Sequence, residues 1–238
     1  MNEAYLGLLT SPTGLSMDMM AERLLHLVPE INFLDINIIF DIGAAHGYES
    51  KNLARVFSHA HIYGFEPTPE HYQACLSHYE KLSPWIRNRI NISNIALNDI
   101  DGQMKFYPLA DDAQSINTGM ASKFKLIDPL VFPHEYNKQK EITVNALTMD
   151  TWCKNTNIYP DLIWIDAQGA ELDIFKGGEN TLKNVRVIMA EAALKPYYHG
   201  HTLKVDIDKY LNTLGFTELT SAQKLMHEYE VDTIYLKR

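Results

Sequence analysis

A chain of 238 residues with 46% hydrophobic, 11% aromatic and 21% charged side chains has the balance of one large globular domain, or of one domain with appendages. Its apolar content can offset the entropy of ordering, which excludes disordered, collagenous and coiled-coil architectures. The formal charge of −9, with Lys and Arg scattered along the chain, opposes a nucleic-acid partner.

The chain begins Met1-Asn2-Glu3-Ala4, with no basic residue ahead of an apolar run, so no secretory leader is expected. Met17, Met20, Leu24 and Leu27 fall at helical spacing and predict an N-terminal helical extension over 1–36. Strands and helices then alternate over 37–238. Residues 37–41 form a short β-branched and aromatic run that ends at a glycine turn, and Leu53, Val56 and Phe57 mark one face of the helix after it. Residues 61–66 read as a second strand, and Thr68-Pro69-Glu70 opens a helix with Thr at the N-cap and Pro at the first helical position. Residues 90–97 alternate apolar and polar as a strand does, and Asp101-Gly102 turns the chain into residues 104–107.

The stretch 110–140, which holds Pro129 and Pro133, is less regular and reads as loop and short helix, an insertion long enough to carry function. Beyond it, 162–165 and 185–189 are apolar runs of the kind buried on both faces of a parallel sheet, separated by a helix from about Ala170 to Gly177-Gly178. Ile207, Tyr210, Leu211 and Leu214 mark a last helix, and 216–219 and 231–236 close the chain as a strand pair. The whole is a doubly wound α/β sandwich. Two cysteines, Cys75 and Cys153, support neither a disulfide framework nor a thiolate metal site, and no apolar stretch approaches the ~20 residues that span a bilayer. A cytoplasmic protein with no membrane span is the expectation.

In such a sheet, ligands bind beyond the carboxyl ends of the strands. The first strand ends in Asp41-Ile42-Gly43-Ala44-Ala45-His46-Gly47, and the second in Glu66, twenty-three residues after Gly43. An acidic residue there can accept hydrogen bonds from both hydroxyls of a ribose. The dinucleotide fingerprint Gly-x-Gly-x-x-Gly is not met, because Ala45 and Tyr48 stand where its second and third glycines belong. Asp41 would repel a pyrophosphate and suit a sulfonium. The loop therefore favours S-adenosyl-L-methionine over NAD.

Residues 39–48, Gly64-Phe65-Glu66-Pro67, residues 163–171, Lys176-Gly177-Gly178 and Ile188-Met189-Ala190-Glu191 together resemble the FkbM family of S-adenosylmethionine-dependent methyltransferases, in order and spacing, across roughly 37–192. The resemblance implies a Rossmann-like, seven-stranded methyltransferase sheet with its last strand antiparallel, and O-methylation of a hydroxyl on a sugar, glycan or small metabolite. It implies that Asp41, Gly43, Ala44 and Gly47 shape the cofactor loop, that Glu66 holds the ribose, that Ala96 and Leu97 lie near the adenine, that Ser115 contacts the cofactor, and that Asp166 faces the methyl-transfer centre.

Two departures stand out. Gln168 replaces the family's usual Glu, and Trp164 replaces a common Lys. An alcohol needs a positioned base as its proton leaves. Asp166, Glu191 and His199 are the candidates. Glu171, in the first turn of its helix, also suits the helix dipole, and His46 also serves as a hydrogen-bonding spacer in the loop. No metal site is expected, since Gln168 removes a carboxylate and no third ligand joins Asp166 and Glu191. A non-catalytic cofactor-binding module and an NAD-dependent oxidoreductase on the same fold are the alternative readings.

Overall fold

The computed structural model of the chain describes residues 36–111, 119–127, 138–219, 224–227 and 229–238. The helix expected around Met17, Met20, Leu24 and Leu27, and Ser115, lie outside the described residues. Strands and helices alternate as β1 (Ile38–Ile42), α1 (Tyr48–Val56), β2 (His61–Phe65), α2 (Pro69–Tyr79), a short α3 (Pro84–Arg87) and β3 (Ile90–Ser93). There follow β4 (Ala96–Asn98), β5 (Gly102–Phe106), β6 (Ile142–Thr148), α4 (Met149–Thr156), β7 (Leu162–Ile165), α5 (Glu171–Lys176) and β8 (Val187–Ala193). The chain closes with α6 (Lys204–Thr213), β9 (Phe216–Glu218), β10 (Lys224–His227) and β11 (Glu230–Lys237).

The main sheet runs β10-β11-β8-β7-β1-β2-β3, with β9 pairing the far end of β11. Its strands β3, β2, β1, β7 and β8 pair in parallel, and β11 is antiparallel to β8. Alternate side chains of β1 and β7 feed two cores. Phe40, Ile163 and Ile165 face one, with Phe65 and Trp152; Ile39, Leu162 and Trp164 face the other, with Leu53, Phe57 and Cys75. Burial on both faces is why 162–165 is apolar without interruption. Trp164 is part of this packing, only 6% exposed.

The run 90–97 is not one strand. Asn94 Nδ2 donates to the carbonyls of Glu66 (2.8 Å) and Pro67 (3.0 Å). The chain bends there, so that β3 ends in the main sheet while β4 enters a second, three-stranded sheet of order β4-β6-β5. The alternation of apolar residues carries through such a break unchanged, because both halves keep one face buried. Neither β6 nor α4 was anticipated. Val144 and Ala146 point into a small core with Ala96 and Phe106, and Trp152 of α4 sets its ring edge against Phe40 (5.1 Å) and Phe65 (5.0 Å), joining the small sheet to the main core.

Around the expected insertion, the described residues form only isolated bridges: Tyr107 with Ser122, Leu109 with Gln139, and Leu126 with Tyr198. The last of these fastens the insertion to the loop that follows β8. Among the described residues, no helix is long and apolar enough to cross a membrane.

Candidate functional site

From β1 the chain builds outward to β2 and β3 on one side, and from β7 to β8 and β11 on the other, so strand order reverses between β1 and β7. At the carboxyl ends of the strands beside this switch point lies a cavity of about 520 Å³. That is within the ~300–1,000 Å³ of small-molecule sites.

On the β2 side, Gly43 has φ +86° and donates its N–H to the Phe65 carbonyl at 3.0 Å. A Cβ at Gly43 would sit 1.9 Å from the Asp166 carbonyl oxygen, so only glycine lets the end of β1 pass so close to the end of β7. Gly43→Ala is expected to cost roughly 2–5 kcal/mol, combining a left-handed backbone with overpacking. A thermal melt indistinguishable from wild type would contradict this. Gly47 (φ +78°) caps α1 with its Cα against the ring of Tyr79.

Glu66 follows β2 and is 4% exposed. Its Oε2 accepts the Ala45 N–H (2.9 Å) and its Oε1 the Thr68 N–H (2.8 Å), with His71 Nδ1 3.7 Å away. The carboxylate thus ties the β1–α1 loop to the start of α2, where Thr68 is the N-cap residue but its hydroxyl makes no cap bond. A carboxylate has about four lone-pair positions, so each oxygen keeps one for a donor in the cavity. Ala96 and Leu97, with Met104 and Phe106, give the same cavity an apolar wall. His46 and His71 stand together at its edge, ring centroids 4.7 Å apart, and burial with His71 alongside holds the His46 imidazole below its usual range.

Asp41 does not face the cavity, which corrects its expected partnership with a sulfonium. The side chain is 1% exposed and turns to Ser50, whose hydroxyl donates to Oδ2 at 2.5 Å. Ala44 is likewise buried, its N–H donating to the Phe65 carbonyl at 3.1 Å. Asp41, Ala44 and Gly47 back the loop from behind, while Gly43, Glu66, Ala96, Leu97 and Asp166 line the cavity.

Burial, reinforced by the charges of Glu49 and Asp166, pushes the Asp41 carboxyl up to about 8. Between pH 4 and that value the folded chain holds a proton here that the unfolded chain has lost. Stability from this group is therefore full below the ordinary carboxylate range and declines as pH rises toward 8, by at most ~1.4 kcal/mol per pH unit. Asp41→Asn is expected to flatten that decline, as denaturant unfolding at pH 5 and pH 8 would show. An unaltered pH slope would refute it.

On the β7 and β8 side, four side chains form one cluster. Gln168 Nε2 donates to Asp166 Oδ1 (2.7 Å) and to Glu191 Oε2 (3.2 Å), and the Tyr198 hydroxyl donates to Gln168 Oε1 (2.8 Å). Glu191 and Asp166 also interact directly through a side-chain hydrogen bond. Burial raises both carboxyls above their ordinary range, Glu191 the more, because the charges of Asp166, Glu230 and Asp232 also face it. Glu230 and Asp232 arrive from β11, whose antiparallel course sets Asp232 directly across from Glu191. Both line the cavity with Tyr197 and Tyr198.

His199, expected beside these groups, is exposed and does not line the cavity. Its backbone N–H is held by the Lys125 carbonyl (2.8 Å) next to the Leu126–Tyr198 bridge. The chain turns at His199 and Gly200, which leaves Tyr198 buried against the cavity and His199 exposed. Glu171 is buried and accepts the N–H groups of Ala167 (2.9 Å) and Gly169 (3.2 Å), which makes it the brace of the β7–α5 turn. Burial moves its carboxyl up to about 7. Among the described residues, no group of three or more His, Cys, Asp or Glu is arranged to hold a metal ion.

An open parallel sheet of this order, with its last strand reversed and a cavity at the switch point, defines a Rossmann-like methyltransferase fold. Residues 41–218 match the model of the methyltransferase FkbM domain, and the chain belongs to that family. Membership gives methyl transfer as its reaction class and S-adenosylmethionine as its cofactor, which disposes of the NAD-dependent reading. The chain is 28% identical over 167 residues to the 2-O-methyltransferase NoeI of Sinorhizobium fredii, a match covering 68% of this chain and 66% of that protein. Similar folds include M. capricolum TrmK in complex with S-adenosylhomocysteine (13% identity, TM-score 0.50, 91% of this chain and 68% of that one). The human methyltransferase 10 domain containing protein is another (9% identity, TM-score 0.50, 94% of this chain and 83% of that one).

The residues present fit the cofactor. Buried Glu66 has lone pairs to spare for a ribose, Ala96 and Leu97 offer an apolar wall to a flat base, and the backbone at Gly43 comes to the cavity without a side chain.

Proposed function

We propose that the chain is an O-methyltransferase acting on a hydroxyl of a sugar, a glycan or a small metabolite, with Asp166 and Glu191 on the acceptor side. The reading is carried by the half-buried, hydrogen-bonded cluster of Asp166, Gln168, Glu191 and Tyr198 across the switch point from Glu66. When bound, S-adenosylmethionine supplies a methyl group activated on a sulfonium. Glu66 holds the ribose hydroxyls, Ala96 and Leu97 pack on the adenine, and the Gly43 backbone, kept in shape by Asp41, Ala44 and Gly47, borders the remainder. Ser115 is retained as a further cofactor contact.

Asp166 takes the proton of the acceptor hydroxyl as the oxygen attacks. Its burial suits it to that task, because a base works best when its proton affinity is matched to the ambient pH. Glu191 shares the charge through its hydrogen bond to Asp166. The 2-O-methyltransferase name of the relative supports oxygen as the acceptor atom. Gly119, Met120, Ala121 and Lys123 reach the cavity, which supports 110–140 as an acceptor-side insertion within a domain spanning 37–238, with 1–36 an N-terminal extension. The net charge of −9 supports a non-nucleic-acid acceptor, and a cytoplasmic location is part of the same proposal.

The test is incubation of the purified chain with methyl-labelled S-adenosylmethionine and an extract of glycans and small metabolites. Label in a methyl ether is the expected result. Label on nitrogen or carbon, or none despite bound cofactor as in a non-catalytic module, overturns the reading.

A further inference from the structure

Gln168 has two features that a passive loop residue would not combine. It holds a non-glycine residue at φ +50°, in a sparsely populated backbone region. The strain is sustained by fixing the residue at both ends: the Ser122 hydroxyl donates to its backbone carbonyl at 2.8 Å, and the Tyr198 hydroxyl donates to its side-chain oxygen at 2.8 Å. Tyr198 is itself 2% exposed, and its hydroxyl lies 3.2 Å from the Met120 carbonyl. With its oxygen occupied by Tyr198, the amide can aim only its N–H₂ at the two carboxylates, and it does, at 2.7 and 3.2 Å.

We propose that Gln168, oriented by Tyr198, is a positioning residue that keeps the Asp166–Glu191 pair as a singly protonated acid–base unit aimed at the acceptor. The inference rests on the reading of Asp166 as the acceptor-side base.

Around the Asp166–Glu191 pair stand Asp41 from β1, Glu66 after β2 and Glu171 from α5 on the Asp166 side, and Glu230 and Asp232 from β11 on the Glu191 side, with the phenols of Tyr197 and Tyr198 beside them and, among the described residues, no cation. A pair of carboxyls in such surroundings is driven to take up a second proton, which would leave no base. The Gln168 amide opposes this by donating to the ionised oxygens. A carboxylate at position 168 would do the reverse, adding charge where a third proton would be needed to relieve it. In the reaction, the proton leaving the acceptor oxygen passes to Asp166 and brings the pair to two protons; the pair returns to one on release to solvent.

The test is a carbon-13 NMR titration of Asp and Glu carboxyls in the full chain with S-adenosylhomocysteine present, comparing wild type with Gln168→Leu, Gln168→Glu and Tyr198→Phe. Losing a hydrogen bond to a charged group is expected to move the apparent pKa of the Asp166–Glu191 pair upward by about one to two pH units in Gln168→Leu. The same direction is expected in Gln168→Glu, and a smaller upward move in Tyr198→Phe, which frees the amide without removing it. S-adenosylhomocysteine affinity should stay within a few-fold throughout. If Gln168→Leu does not fold, Tyr198→Phe decides. A pair that titrates as in wild type in the folded variants overturns the inference. Because no acceptor is needed, that failure is separate from failure of the O-methyltransferase reading, which would appear as missing methyl ethers with the titration shift intact.

Discussion

Glu66→Ala is expected to weaken S-adenosylhomocysteine binding by about 10²–10⁴-fold in calorimetry. Two ribose hydroxyls donating to one carboxylate lose roughly 1.5–3 kcal/mol each when it is removed. A second loss falls on the protein, because the Ala45 and Thr68 N–H groups lose their shared acceptor. Removing it leaves two partly buried donors unsatisfied, each at roughly 1–3 kcal/mol. Melting of the ligand-free variant measures that part, and Glu66→Gln, which keeps one acceptor oxygen, should fall between. Affinity unchanged from wild type in Glu66→Ala would remove Glu66 from the cofactor site.

For Asp166→Asn, turnover is expected to drop by about 10²–10⁴-fold, the usual contribution of a positioned base, with S-adenosylhomocysteine affinity within a few-fold of wild type. Asn keeps the shape of the side chain and can still accept the Gln168 N–H, so the loss isolates proton transfer from packing. In wild type the rate should fall as pH is lowered and the Asp166–Glu191 pair takes its second proton. Both carboxyls are raised by burial, so this limb should lie above the range of ordinary carboxylates. Turnover unaffected by Asp166→Asn would place the base elsewhere.

The main sheet was legible because its strands are short apolar runs with a glycine turn or a helix start after them, and because burial on both faces leaves 162–165 without a polar residue. The strand at 90–97 misled for a definite reason: alternation reports which face is buried, not which sheet does the burying, and the bend at Asn94 depends on contacts with Glu66 and Pro67 far earlier in the chain. The small sheet could have been found in part, since Val144 and Ala146 alternate with polar neighbours.

At the site, Glu66 and Asp166 follow the last residues of β2 and β7, and Glu191 follows Ala190, the last β8 residue paired with β7; the end of a parallel ladder fixes where a side chain stands, and all three reach the cavity. Asp41 stands one residue before the end of β1 and turns to Ser50, a pairing across nine residues that no spacing rule announces. Asp232 and Glu230 were missed because they sit at the beginning of β11, and only the reversal of that strand carries them to the ligand edge. Tyr198 and His199 differ by one residue and by their facing, which the bridge to Leu126 decides.

The most direct measurement is a crystal structure of the chain with S-adenosylhomocysteine. The ribose hydroxyls should lie on the Glu66 carboxylate, with the adenine against Ala96 and Leu97 and the sulfur turned toward Asp166 and Glu191. A nucleoside bound away from Glu66, or a sulfur facing away from the Asp166–Glu191 pair, would contradict the assignment of the two ends of this cavity.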